Sequence, residues 1–447
     1  MAYFVRHGRS IALTAEKTIA RALLDGDARV AERIATGLLK TSPCNFVERP
    51  WGGMRIRAYK GVCPLPDQPA LTGAGLGEAF EISAYDADDE AREHPSRVRF
   101  EDGSEAALPA LLRRHAERWL GPELADRHGG AFPLLPKTLD VRELLSVQGH
   151  PDGHTEAYVI IDAEPGATLR VGFNRDIDPA ELEASLTQGR AWQQHVLELV
   201  GARLTPTRLQ ALVAPWLADR QSGAAELPAE LADAFGSGDR AHAVSLLERL
   251  KALYWNVLDS MNAIPAEPGT VIHNANPPRI AAVRGRPAAA EVHALGNPEG
   301  LEILALEIRR PGPTFRAWDN VRFPLRRIDI SAALHVLNLR RVDPEELIAQ
   351  FEPVPGHPGL FRSVRDSSFE IEHIKPGAGQ PVDVPASGAH CLHCIAGTAT
   401  LAGADGRDLG TLVRGESALV PIGVGAYRVT GAAAGTEIVK AAPTAGA

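Results

Sequence analysis

The stretch 132–161, FPLLPKTLDVRELLSVQGHPDGHTEAYVII, constrains this 447-residue chain more than any other. Leu144 to His150 reads as a short strand, Pro151-Asp152-Gly153 as a turn, and Glu156 to Ile161 as the returning strand of a hairpin. Side chains on a strand alternate between faces, so Gln148 and His150 point the same way. The turn can bring Glu156 to that same surface. One hairpin then offers an amide oxygen, an imidazole and a carboxylate to a single point, a set of N and O ligands that a zinc-type ion accepts. A polar strand face with one Gln, one His and one Glu is more often a wet hairpin, and from spacing alone both readings stand.

The rest of the chain supplies β segments broken by one helical stretch. From 45 to 135 the signals are β-like with many Pro and Gly breaks, apart from a helical pattern over 105–120 that places His115 on a helix surface. Ala163 to Phe173 reads as a strand. Residues 179–259 change character to amphipathic helices separated by Pro, Gly and Ser breaks, and 263–310 return to strands. A partly helical section follows residue 320, and 368–442 form a second β-rich unit. At the N-terminus, residues 2–8 (AYFVRHG) carry an Arg-His-Gly tripeptide similar to one in histidine phosphatases. Nothing else supports that likeness, and the helical pattern of Ile11 to Lys40 reads as an N-terminal appendage.

Composition bounds the partners. A net charge of −9 argues against bulk nucleic-acid affinity and against an anionic membrane surface, although a local Arg cluster could still hold a small anion. No apolar run reaches the ~20 residues a membrane helix needs, and no signal-peptide pattern opens the chain. Four cysteines do not make a disulfide framework, so a cytoplasmic location is expected. Cys391 and Cys394 form a CxxC inside an apparent strand with no second half. Packing as small apolar residues suits them better than zinc or redox chemistry.

The hallmark runs resemble those of the type I mannose-6-phosphate isomerases, a cupin-fold family. FPLLPKTLD, LSVQGHPD and GHTEAYVIIDAEPGA stand in order, preceded by NFVERPWGGMRI (45–56) and followed by EVHALGNPEGLEILALEIRRPGPTFRAWD (291–319). The resemblance covers roughly 45–320 in pieces. It implies a mainly β fold with a helical insertion: two cupin (jelly-roll) domains plus an α-helical domain. The expected boundaries are 1–44 for a helical extension, 45–178 with 260–330 for the metal-binding cupin, 179–259 for the inserted helices, and 331–447 for a C-terminal cupin. In that last unit Ala426 stands where a metal-binding His would be.

It further implies an enzyme, a mannose-6-phosphate isomerase acting through an enediol(ate), with one zinc or similar divalent ion per chain. The expected ligands are Gln148, His150, Glu156 and His293, with His273 the competing fourth position. Arg316 matches the Arg of the family's YR element, Lys137 the Lys of FPLL-x-K, and Glu307 the Glu of LEI, a candidate base. Ser146, Trp51 and His154 are candidates for substrate contact, although Trp51 suits a core equally. A partly open metal sphere would polarise a sugar carbonyl and acidify the neighbouring C–H.

Departures from the family pattern bear on proton transfer and sugar choice. His154 replaces a Lys, which would make a cationic group titratable near neutral pH. Pro311-Gly312-Pro313 stands where an Asp precedes the family's TTYR. Arg279, Arg284 and Arg286 lie in an extra loop and suit a solvated basic surface. The expected partner is a small sugar phosphate, with no nucleic acid and no membrane, the chain being a monomer or homodimer. Competing readings are a sugar-phosphate isomerase of different specificity, an iron oxygenase, which Gln148 disfavours, and a non-catalytic sugar-binding cupin.

Overall fold

The computed structural model of the protein describes residues 18–61, 75–85 and 89–444. The chain is mainly β, with antiparallel sheets and several helices, and its layers follow from which strand faces are apolar. A six-stranded sheet runs in the order 271–274, 156–163, 303–309, 137–141, 46–53 and 76–80. Its strands read as near-continuous apolar runs, such as Ala157-Tyr158-Val159-Ile160, the pattern of a sheet covered on both faces. Tyr158, Ile160, Leu139, Val141 and Ala305 face a five-stranded sheet ordered 261–265, 168–173, 293–294, 147–149 and 315–318. Ala157, Val159, Leu306 and Ile308 face the other way. They meet Ile371, Leu419 and Val439 of a seven-stranded sheet, together with the helices Ile19–Leu24 and Leu108–Leu120.

The two ends of this stack are closed differently. Helices Pro179–Val200, Pro206–Ala218 and Arg240–Asp259 cover the five-stranded sheet, with Leu186, Val196, Leu247 and Leu250 packed against Val147, Phe173, Ala294 and Trp318. Asp178 starts the first of them by accepting the backbone N–H of Ala180 and Glu181, and Pro179 fits the first helical position because it has no N–H to satisfy. At the far end a four-stranded sheet (381–384, 427–431, 398–403, 408–413) packs on the seven-stranded one through Leu401, Val429, Leu392 and Cys394. Among the described residues no helix is long and apolar enough to cross a membrane.

The expected hairpin is not a hairpin. Val147–Gly149 pairs with 293–294 and 315–318, whereas Glu156–Ala163 pairs with 271–274 and 303–309. Pro151-Asp152-Gly153 therefore carries the chain from one sheet to the other. Alternation of side chains reports a strand's faces and says nothing about its neighbours; each strand here is claimed by more distant partners. The first strand is also shorter than Leu144–His150, and the second longer than Glu156–Ile161.

The N-terminal helices are likewise no appendage. Ile19, Leu23 and Val30 share a core with Leu111 and Trp119, and Leu39–Lys40 pairs with the strand Ser417–Val420. His115 is buried rather than on a helix surface, with Nε2 2.9 Å from the Leu23 carbonyl oxygen. The Arg-His-Gly tripeptide and the start of the N-terminal helical pattern lie outside the described residues. Cys391 and Cys394, three apart on the strand His390–Ala396, fall on opposite faces, one in each neighbouring core. Burial pushes both thiols up to about 12, which leaves no shared thiolate site.

Candidate metal centre

Strand register brings the candidate residues together. Directly paired residues on neighbouring strands point to the same face. On the six-stranded sheet Glu156 pairs with Asn274 on one side and Arg309 on the other, forming one polar row. The next row inward on that face holds Tyr158, Glu307 and Lys137. On the five-stranded sheet Gln148 pairs with both His293 and Arg316. The facing sheets are apolar further in, so these rows turn the end of the space between them into a polar pocket. A cavity of about 140 Å³ opens there, lined by Gln148, His150, Glu156, Lys137, Glu307, Arg316, Ser146 and Trp51.

Ligand atoms of His150, Glu156 and His293 all lie within 4.8 Å of one another, and all three residues are buried. Each imidazole is oriented from behind. His150 Nδ1 lies 3.0 Å from the Pro313 carbonyl oxygen, and His293 Nδ1 2.9 Å from that of Glu291. A carbonyl only accepts, so both Nδ1 atoms carry the proton and both Nε2 atoms present lone pairs. His150 Nε2 sits 2.7 Å from Glu156 Oε1 and has no hydrogen-bond donor. His293 Nε2 lies 3.5 Å from Glu156 Oε2 and 3.1 Å from the Gln148 amide nitrogen. Half a turn of that amide presents its oxygen instead. Two lone pairs and a carboxylate aimed at one buried point, one lone pair lacking any donor, fit a divalent cation. Burial raises the Glu156 carboxyl, but positive charge at His150 and His293, which a bound cation would supply in their place, together with Arg309 more than reverses this and holds it well below the usual carboxylate range.

Beside this centre lies a chain of alternating charge. Arg49 Nε donates to Glu78 at 2.8 Å; Lys137 Nζ is 3.4 Å from Glu78 and 3.7 Å from Glu307. Arg309 Nε is 3.6 Å from Glu307. Glu307 Oε2 is buried and has no hydrogen-bond partner. Burial, reinforced by Glu156 and Glu78 and opposed by Lys137 and Arg309, pushes this carboxyl up to about 7. That is a value suited to moving a proton near neutral pH. Ser146 Oγ donates to Asp319 at 2.8 Å and accepts from Arg326 at 2.9 Å, on the wall that also holds Arg316.

The residues expected from the sequence divide as follows. Gln148, His150, Glu156, Lys137, Glu307, Arg316, Ser146 and Trp51 meet at the cavity, with His293 directly behind it. Trp51 is also a core residue, packed with Leu139 and Tyr158. His273 sits elsewhere, its Nε2 2.9 Å from Asp366. His154 does not line the cavity; its ring stands where a Cβ on Gly312 would be. Burial, with Arg310, His150 and Arg309 nearby, pushes it down to about 4, so it stays neutral at neutral pH and the expected titration there is wrong. Of the loop arginines, Arg279 is paired with Glu346, and Arg284 and Arg286 with Asp152. Sequence reasoning missed Glu78, Arg309, Arg326 and Tyr158. Alternation along the strand could have pointed to Tyr158, two residues after Glu156, and to Arg309, two after Glu307, whereas Glu78 and the loop residue Arg326 reach the site only through the assembled fold.

Fold and site together define a mainly β protein with a buried His/Glu candidate metal centre beside a basic and acidic cavity. Residues 92–169 match the family model for the phosphomannose isomerase type I catalytic domain. The mannose-6-phosphate isomerase of Streptococcus mutans is 32% identical over 136 residues, 27% of this chain and 36% of that protein. The curated relatives matched are spanned over only 36% to 39% of their length. Among solved structures, the mannose 6-phosphate isomerase of Bacillus subtilis aligns with TM-score 0.58 at 18% identity, over 91% of this chain and 99% of that one. A mannose 6-phosphate isomerase bound with zinc and yttrium aligns with TM-score 0.55 at 15% identity, over 91% and 100%. The chain is thus similar to the type I phosphomannose isomerases, in sequence over residues 92–169 and in fold over nine-tenths of its length.

Proposed function

We propose that this chain is a metal-dependent aldose–ketose isomerase that interconverts mannose 6-phosphate and fructose 6-phosphate. The observation that carries the reading is the convergence of His150, Glu156 and His293, with Gln148 beside them, on a cavity that also holds Glu307, Lys137 and Arg316. In this reading the facing five- and six-stranded sheets form a catalytic cupin with the 179–259 helices inserted. The seven- and four-stranded sheets form a second cupin without metal ligands.

His150, Glu156, His293 and the Gln148 amide oxygen would hold one zinc or similar divalent ion. When bound, such an ion polarises a carbonyl and stabilises negative charge on its oxygen. The remaining work falls to the chain. Glu307, ionised, takes the proton from C2 of the aldose; the electron pair becomes the C1–C2 double bond of an enediol(ate), and the C1 oxygen gains charge. The same carboxyl returns the proton to C1, and the C2 hydroxyl proton passes to the charged C1 oxygen, which leaves a hydroxyl at C1 and the carbonyl at C2. Lys137, 3.7 Å from Glu307, stabilises the ionised base and faces the oxygens where charge develops. Arg316, in register with Gln148, is placed to hold the phosphate or an oxyanion through a planar pair of donors.

The test is conversion of mannose 6-phosphate to fructose 6-phosphate by the purified chain, before and after chelation and with zinc restored. Chelator-sensitive turnover that zinc restores supports the reading. No turnover by zinc-loaded protein on mannose 6-phosphate refutes this substrate and directs the screen to other sugar phosphates.

A further inference from the structure

The two oxygens of Glu156 have different surroundings. Oε1 faces His150 Nε2 at 2.7 Å. Oε2 accepts the hydroxyl proton of Tyr158 and lies 3.4 Å from Asn274 Nδ2. Asn274 Nδ2 has two protons to give and three neighbours: Glu156 Oε2, Tyr158 Oη at 3.2 Å and His293 Nδ1 at 3.2 Å. The last is itself a donor, committed to the Glu291 carbonyl, so it cannot accept. Both amide protons therefore go to Tyr158 and Glu156, and the three residues close a ring of hydrogen bonds around Oε2.

Asn274 is itself held in place. Its Oδ1 accepts the backbone N–H of Glu291 at 2.9 Å. Residues 274 and 291 are the two ends of an excursion that leaves the six-stranded sheet and rejoins the five-stranded one at His293. The Glu291 carboxylate accepts from Asn276 at 2.7 Å and from Asn338 at 2.9 Å, which ties the root of the excursion shut. The same root thus supplies the carbonyl that orients His293 and the amide that reaches Glu156. Tyr158, Asn274 and Glu291 are fully buried, so these bonds have no competing solvent.

Resting on the reading of His150, Glu156 and His293 as a divalent-metal centre, we propose that Tyr158 and Asn274 are positioning residues that hold Glu156 Oε2 and leave Oε1 alone to bind the cation. A carboxylate free to turn can chelate through both oxygens. The second bond would take the coordination position that a substrate oxygen needs.

The experiment uses the full chain and its Tyr158→Phe and Asn274→Ala variants. Zinc affinity is read by competition with a chromophoric chelator, and ligand number by the visible absorption of the Co²⁺-substituted protein. Each variant is expected to weaken zinc binding about 10- to 100-fold. The Co²⁺ bands should lose intensity as Glu156 adds its second oxygen and the coordination number rises. Tyr427→Phe removes an equally buried hydroxyl, that beside His390 in the four-stranded sheet, and should leave zinc affinity unchanged. The proposal is overturned if folded Tyr158→Phe binds zinc within about twofold of the parent, the scatter of independent effects, with the same Co²⁺ spectrum. Should Asn274→Ala fail to fold, Tyr158→Phe decides alone. A parent chain that takes up no zinc removes the metal-centre reading and this proposal with it, whereas a zinc-binding parent with unaltered variants removes only the positioning role.

Discussion

Replacing Glu307 by Gln tests the chemistry most directly. The substitution keeps the side chain's shape and removes its ability to take a proton. Glu307 is buried, its Oε2 has no hydrogen-bond partner, and its nearest cations are 3.6 and 3.7 Å away. Loss of a positioned general base costs about 10²- to 10⁴-fold in rate, or roughly 3–5 kcal/mol of barrier. The pH profile carries a second signature. With the carboxyl pushed up to about 7, half of it is in the base form at that pH and about a tenth one unit lower. In the parent, kcat/KM should therefore rise about tenfold per unit up to the region of pH 7 and then level off. Glu156 is among the groups that raise Glu307. A cation bound at Glu156 cancels that repulsion, so the limb of the zinc-loaded enzyme lies at or below 7. The assay is mannose 6-phosphate turnover across this range, with zinc content measured on the same samples. The reasoning is refuted if zinc-loaded Glu307→Gln keeps more than about a tenth of the parent rate. It is refuted equally if the variant loses zinc along with activity, which would make Glu307 a structural partner of the metal centre.

Other expectations concern the seams that hold the site. Lys60 and Glu81 form an ion pair at 2.8 Å between the sheets, both almost fully buried, with Ser417 also donating to Glu81. Lys60→Met should destabilise the protein by about 3–5 kcal/mol, and Lys60→Met with Glu81→Gln by less; denaturant melts of the three variants check the order. Burial alone would raise Glu81, and Lys60 and His393 reverse this; its contribution is therefore present at neutral pH and lost as the pH falls through its lowered folded value. Asp140 behaves oppositely. Burial raises it from 3.8 to about 7, against the backbone donors Ile56 and Arg55. Its stabilising share is complete below about pH 4 and gone above about pH 7, at most roughly 4 kcal/mol. Asp140→Asn should flatten that part of the pH–stability curve, and an unchanged slope refutes the assignment. Asp366 accepts from Thr155 at 2.6 Å and His273 at 2.9 Å, which fastens the segment before Glu156 to the seven-stranded sheet's turn. Asp366→Ala should speed amide exchange over residues 153–156 and cost about 2–4 kcal/mol.

What the chain's order of residues showed by itself was which residues are candidates for the site and that the fold is mainly β with helices. Gln148, His150, Glu156 and His293 were legible as ligand types, and Lys137, Glu307 and Arg316 as their companions, because the runs carrying them are long and specific. The helices of 179–259 were legible from periodicity and from their breaks. Tertiary structure decided the rest. Gln148 and Glu156 come from opposite sheets and not from one hairpin, since alternation names a face and never a neighbour. It placed His293 and not His273 beside Glu156, because only one of the two strands turns its imidazole that way. It also silenced His154, whose titration depends on burial and on Arg310 and Arg309, and it drew Asn274 behind Glu156 through cross-strand register, beside Tyr158 two residues along Glu156's own strand. Desolvation and register are properties of the assembled sheets: the first depends on what covers a side chain, the second on which distant strand lies alongside it.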